Sequence, residues 1–196
     1  TGWAPLMAAA QGGHSEIVSL LLARGARVEA TMRGEQTALT IASYHGRDEA
    51  IELLIAAGAS PDSATQEGTS ALWLAAGQGH LETVALLLGH GSDIGTADKM
   101  GRTALYSAAG AGHHKIVSFL LDQGASANAT TEDGDTALAT AAFEGHVETV
   151  RVLLTRDADP AIGRPGGESP LYYAAKKGHV EALLLLMQVD ENMDRM

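Results

Sequence analysis

The chain has 196 residues, 45% of them apolar but only 4% aromatic, with a formal net charge of -11 and no run of basic residues beyond Lys176-Lys177. That balance excludes the basic stripe needed to neutralise a phosphate backbone, so neither nucleic acid nor an anionic membrane surface is expected as a partner. Cysteine is absent, which removes disulfides, thiol catalysis and cysteine-based zinc sites, and the longest apolar run, Ala182 to Met187, is far short of a membrane span.

From the N-terminus, Trp3 sits in a leading turn and Pro5 opens a short helix to Gln11, since proline is tolerated where the first N–H is unpaired. A second helix spans Ser15–Ala23 and is stopped by Gly25. Further helix pairs follow at Ala38–His45 and Asp48–Ala56, Ala71–Gln78 and Leu81–Leu88, and Ala104–Ala111 and His114–Leu121. The last two pairs are Ala137–Glu144 with Val147–Leu154, and Pro170–Lys177 with Val180–Met187. Glu35 fills a slot held by Gly68, Gly101, Gly134 and Gly167 elsewhere, and Asp157 and Asp190 replace the glycines that close second helices. Altered local turns are expected at the first two. The polar, acidic tail from Gln188 is expected to cap or fray.

These pairs are one unit written six times. Leu6, Leu39, Leu72, Leu105, Leu138 and Leu171 recur every 33 residues. Ala9, Ala42, Ala75, Ala108, Ala141 and Ala174 follow three places on, and Gly13, Gly46, Gly79, Gly112, Gly145 and Gly178 seven places on. His follows that glycine at His14, His80, His113, His146 and His179, with Arg47 in its place in the second copy. This register resembles the ankyrin repeat, whose period is about 33 residues around a Thr-Pro-Leu-His-x-Ala core, although the Thr-Pro part is worn here. The resemblance covers essentially the whole chain. It implies an all-α repeat solenoid of stacked helix-turn-helix units with short β-hairpin loops. The expected organisation is one domain, 1–196, with repeats at about 1–33, 34–66, 67–99, 100–132, 133–165 and 166–196.

The Gly-His histidines come one per repeat, without a second ligand at helical spacing, whereas zinc needs several convergent donors. They are read as structural, bonding neighbouring loop backbone as the resemblance implies. No nucleophile–base pair stands out, and neither Gly110-Ala111-Gly112 nor the segment from Gly163 to Gly167 ends as a phosphate loop does. An enzyme is not expected, nor is a cofactor or metal. Asn128-Ala129-Thr130 fits the glycosylation sequon. By resemblance, Asn128 also matches a hairpin asparagine open to hydroxylation, with Ala127 where valine is usual. The sequon match is read as coincidence.

The resemblance implies a concave face of hairpin tips and first helices that binds partner proteins. The candidate contacts are Trp3, Tyr44, Trp73, Met100, Arg102, Phe143 and Tyr173. Tyr44 and Phe143 are expected to flank a shallow trough floored by Gly77, Gly110 and Ala111. The competing reading makes Gly77 and Gly110 last-turn residues, where glycine costs little. Trp73, Tyr106 and Tyr172 follow their leucines, where packing between repeats is the favoured role. Lys99 and Arg102 are expected opposite Asp133 and Asp135. The expected function is non-catalytic protein–protein interaction by an intracellular, monomeric module, cytoplasmic or nuclear. Its partner is a protein or peptide, and a basic one would be favoured in encounter rate. The alternatives are a regulatory segment of a larger enzyme, channel or receptor, and an engineered or structural scaffold without a specific partner.

Overall fold

The computed structural model of the chain describes residues 4–32 and 35–193, with side chains as far as residue 188. Its helices come in pairs: α1 (Pro5–Gly12) with α2 (Ser15–Ala23), α3 (Ala38–Tyr44) with α4 (Asp48–Ala56), and α5 (Ala71–Gln78) with α6 (Leu81–Gly89). The later pairs are α7 (Ala104–Gly110) with α8 (His114–Asp122), α9 (Ala137–Glu144) with α10 (Val147–Leu154), and α11 (Pro170–Lys177) with α12 (Val180–Met193). They fall into two compact units, Thr1–Lys99 and Met100–Met196, each holding three pairs. Among the described residues there is no strand, and the architecture is an all-α repeat solenoid.

First helices after α1, which starts at Ala4 and Pro5, begin at hydroxyl caps. The side chains of Thr37, Ser70, Thr103, Thr136 and Ser169 each accept a hydrogen bond from the backbone N–H three residues on, satisfying one orphan donor of the first turn. The periodic leucines then point inward: Leu6, Leu39, Leu72, Leu105 and Leu138 are at most 3% exposed, and the alanines three places on at most 4%. Alanine suits that position because short, thin helices stack closely only if the side chain between them is small. Glu52, Glu82, Lys115, Glu148 and Arg151 lie exposed on the second helices.

The loops are simpler than hairpins. Ala64 with Ser70, Thr130 with Thr136, and Arg164 with Glu168 each form a single antiparallel bridge, closing tips of five, five and three residues. Altered turns are expected at Glu35 and Asp157, and the loop after Asp157 does differ, its bridge lying at Arg164–Glu168 and not at the places equivalent to Thr130–Thr136. Glu35 takes a φ of 59° and Asp157 one of 62°, the left-handed conformation of the glycines they replace. The turn bonds persist, Glu35 N–H to Met32 O at 3.0 Å and Ala158 N–H to Leu153 O at 3.1 Å. The loop is held by these surrounding bonds, so the non-glycine residue absorbs the strain. Glu35→Gly is therefore expected to stabilise the chain by about 0.5–1 kcal/mol, read as a rise in the urea midpoint. At the far end, no glycine interrupts α12, and its backbone continues to Met193 instead of ending near Met187.

Candidate functional site

In the first unit, two adjoining depressions of about 240 and 410 Å³ share Gln36 and Leu74 as lining. The first lies between α1, α3 and α5, where Gln11, Ile41, Tyr44 and His45 meet. The second is bounded by Trp73 on α5 and by the loop residues Thr65, Gln66, Glu67 and Thr69. Tyr44, the last residue of α3, is 43% exposed and meets the His45 ring edge to face at 5.0 Å. Gln11 Nε2–H donates to His45 Nε2 at 3.3 Å, so that nitrogen is unprotonated. Burial, with Arg47 and His80 adding to it, holds the imidazole below its ordinary value, and the ring is neutral at physiological pH.

In the second unit, the loops and first helices enclose depressions of about 370 and 110 Å³ that share Tyr106, Asp135 and Arg164. Asp135 is the pivot. Only 7% exposed, it accepts from Arg164 Nε at 2.8 Å and from the Tyr173 hydroxyl at 3.2 Å. Arg164 also lies 3.5 Å from Asp133 and 4.0 Å from Glu168. Burial, and the negative charge of Asp135 beside it, push the Tyr173 phenol up to about 12. Phe143 stands edge to face on Tyr173 at 5.6 Å, and the Lys177 ammonium lies 4.1 Å from the Phe143 ring centre, a cation–π contact. Met100, 51% exposed, forms the loop-tip border of the smaller depression with Arg102.

The Gly-His motif forms rungs between successive repeats. His80 Nε2–H donates to Tyr44 O at 3.2 Å, His146 to Gly110 O at 3.0 Å and His179 to Phe143 O at 3.0 Å. Arg47 performs the same task with its Nε on Gln11 O at 3.1 Å, which explains why it can stand in the histidine slot. Each ring lies over the glycine of the repeat before. A Cβ on Gly46, Gly112 or Gly145 would come within 2.6–2.7 Å of the Nδ1 of His80, His146 or His179. A second rung joins the loops: Ser60 N–H donates to Glu29 at 2.8 Å, Asp93 N–H to Asp62 at 2.9 Å and Asp159 N–H to Asn128 at 2.8 Å. The Asn128 amide also donates to Asp157 O at 3.1 Å, so both ends of that side chain are engaged in the rung.

A family model for ankyrin repeats in three copies matches residues 1–65, 56–131 and 123–196. The chain belongs to the ankyrin-repeat family. No curated protein matches it. Ankyrin repeats generally mediate protein–protein interaction, and their fold is typically non-catalytic.

Within this ankyrin-repeat chain, the candidate contacts divide by unit. Tyr44 and Trp73 lie around the depressions of the first, and Met100, Arg102, Phe143 and Tyr173 around those of the second. Trp3 lies outside the described residues. Tyr173, 7% exposed, stands behind Phe143 and presents little surface of its own. Gly110 is the close-approach point of α7 on α9: a Cβ there would lie 3.2 Å from Thr140 Oγ1, so its small size serves helix packing. Sequence reasoning missed the Asp135–Arg164 pair; Arg102, expected opposite Asp133 and Asp135, lines the smaller depression with both. The signal was available. Arg164 occupies a loop slot filled by Met32, Thr65, Asp98 and Thr131 in other repeats, one loop beyond two acids.

Proposed function

We propose that the chain is a non-catalytic recognition module that holds a partner protein on the face made by its first helices and loop tips. The observation that carries this reading is large, exposed side chains around depressions on that face: Tyr44 at 43% and Met100 at 51%, with Trp73 and Phe143 partly exposed beside them. Aromatic, Met and Arg side chains are the ones that concentrate binding energy at interfaces. The net charge of -11 favours encounter with a basic partner. In affinity capture from a host lysate with mass spectrometry, a partner is expected to be retained by the parent chain and lost by the Tyr44→Ala/Met100→Ala/Phe143→Ala variant. Circular dichroism checks that the variant is folded. Capture unchanged in the folded variant would move the site to another surface.

A further inference from the structure

The charge of this protein is unevenly distributed. In the first unit, Glu16, Asp48, Glu49, Glu52 and Glu82 lie on the second helices, while Glu29 and Asp62 are spent on the loop rungs. The two depressions of that unit carry almost none of it. Among the described residues lining them, Glu67 is the one formal charge, and His45 is the neutral ring bonded to Gln11. The polar lining is otherwise carboxamide and hydroxyl: Gln11, Gln36 and Gln66, with Thr40, Thr65 and Thr69. Its apolar part is Tyr44, Trp73, Leu74 and Ile41. The second unit differs, with Asp133, Asp135, Glu144, Arg164, Glu168 and Lys176 along its depressions.

A neutral face on a strongly acidic chain selects its occupant by charge. A partner anion laid there would lose water without gaining a counter-charge, which is costly, and a partner cation would find Glu67 alone. A carboxamide offers both an N–H donor and a C=O acceptor, the complement of a main-chain peptide group. The spread of three glutamines over α1 and two successive loops suits a chain in extended form. Tyr44, Trp73 and Leu74 leave apolar seats between them.

We propose that this face of the first unit binds an extended, uncharged segment of a partner protein that carries large apolar side chains, its main chain read by Gln11, Gln36 and Gln66. The proposal rests on the reading of the chain as a recognition module and names the partner chemistry at one of its faces.

The test pans a random-peptide phage library on the full chain and measures the selected peptides, made synthetically, by fluorescence anisotropy. Peptides whose binding is lost in Tyr44→Ala are expected to be uncharged through their core. Their Kd should move less than about twofold between low salt and roughly 0.5 M salt. Gln36→Glu/Gln66→Glu should weaken them by about tenfold or more, since the new carboxylates are buried under a neutral ligand. Glu52→Gln, exposed on α4 and outside both depressions, should leave them unchanged. Circular dichroism checks folding, and Gln66→Glu alone, at an exposed loop position, serves if the double variant is unfolded. Tyr44-dependent peptides rich in Lys, Arg, Asp or Glu that weaken with salt would overturn the proposal. So would peptides indifferent to Tyr44→Ala but lost in Met100→Ala/Phe143→Ala, although these would leave the recognition module standing. A selection that yields no specific peptide counts against both.

Discussion

Asp135→Ala is expected to lower stability by about 2–4 kcal/mol in urea unfolding at neutral pH, among the largest single effects outside the leucine core. The carboxylate is 7% exposed and answers two partners at once, the Arg164 guanidinium and the Tyr173 hydroxyl. Removing it leaves the buried phenol without its acceptor and Arg164 with only its longer contacts to Asp133 and Glu168. Partial exposure of Arg164 keeps the loss below that of a fully buried pair. Asp135→Leu/Arg164→Met, which removes both charges, should recover most of the loss. If the single and double variants were equally unstable, packing of the aspartate and not its charge would be responsible. The same cluster gives an alkaline signature. Tyr173 is raised from an ordinary 10.0 to about 12 in the folded chain. Its contribution is therefore complete below pH 10 and is lost as the pH rises through 12, because the unfolded phenol ionises first. Tyr173→Phe should remove that part of the decline, measured as unfolding midpoints across the alkaline range.

Gly112→Ala is expected to cost about 2–3 kcal/mol, and Gly124→Ala only about 1. Both glycines are left-handed, with φ of 77° and 91°. Their surroundings differ. A methyl group on Gly112 would meet His146 Nδ1 at 2.7 Å, whereas one on Gly124 would meet nothing within 4 Å. At Gly124 the cost is conformational alone. At Gly112 the His146 ring must also swing away and give up its bond to Gly110 O. In a His146→Ala background the cost of Gly112→Ala should fall to that of Gly124→Ala. Equal costs for the two glycines in the parent chain would show that the rung contributes nothing.

The repeat was legible in the sequence because it rests on local rules. Leucine, alanine and glycine at fixed offsets set helix length, close approach and helix stops, and each recurrence of Leu39, Ala42 and Gly46 repeats the same instruction. The helix bounds follow from these rules, as does the structural character of the histidines, whose single occurrence per repeat already argued against a metal. What tertiary structure alone decided are relations between residues about thirty positions apart. Asp135 meets Arg164 of the following loop, 29 residues on. Glu35 and Asp157 adopt glycine's conformation because the bonds around each turn outweigh one residue's strain. Helix α12 runs on past Asp190 to Met193, with no glycine in its sequence to end it sooner. Gln11, Gln36 and Gln66 are unremarkable polar residues along the chain. They come to line two adjoining depressions, with Glu67 as the one formal charge there, only when three repeats stack.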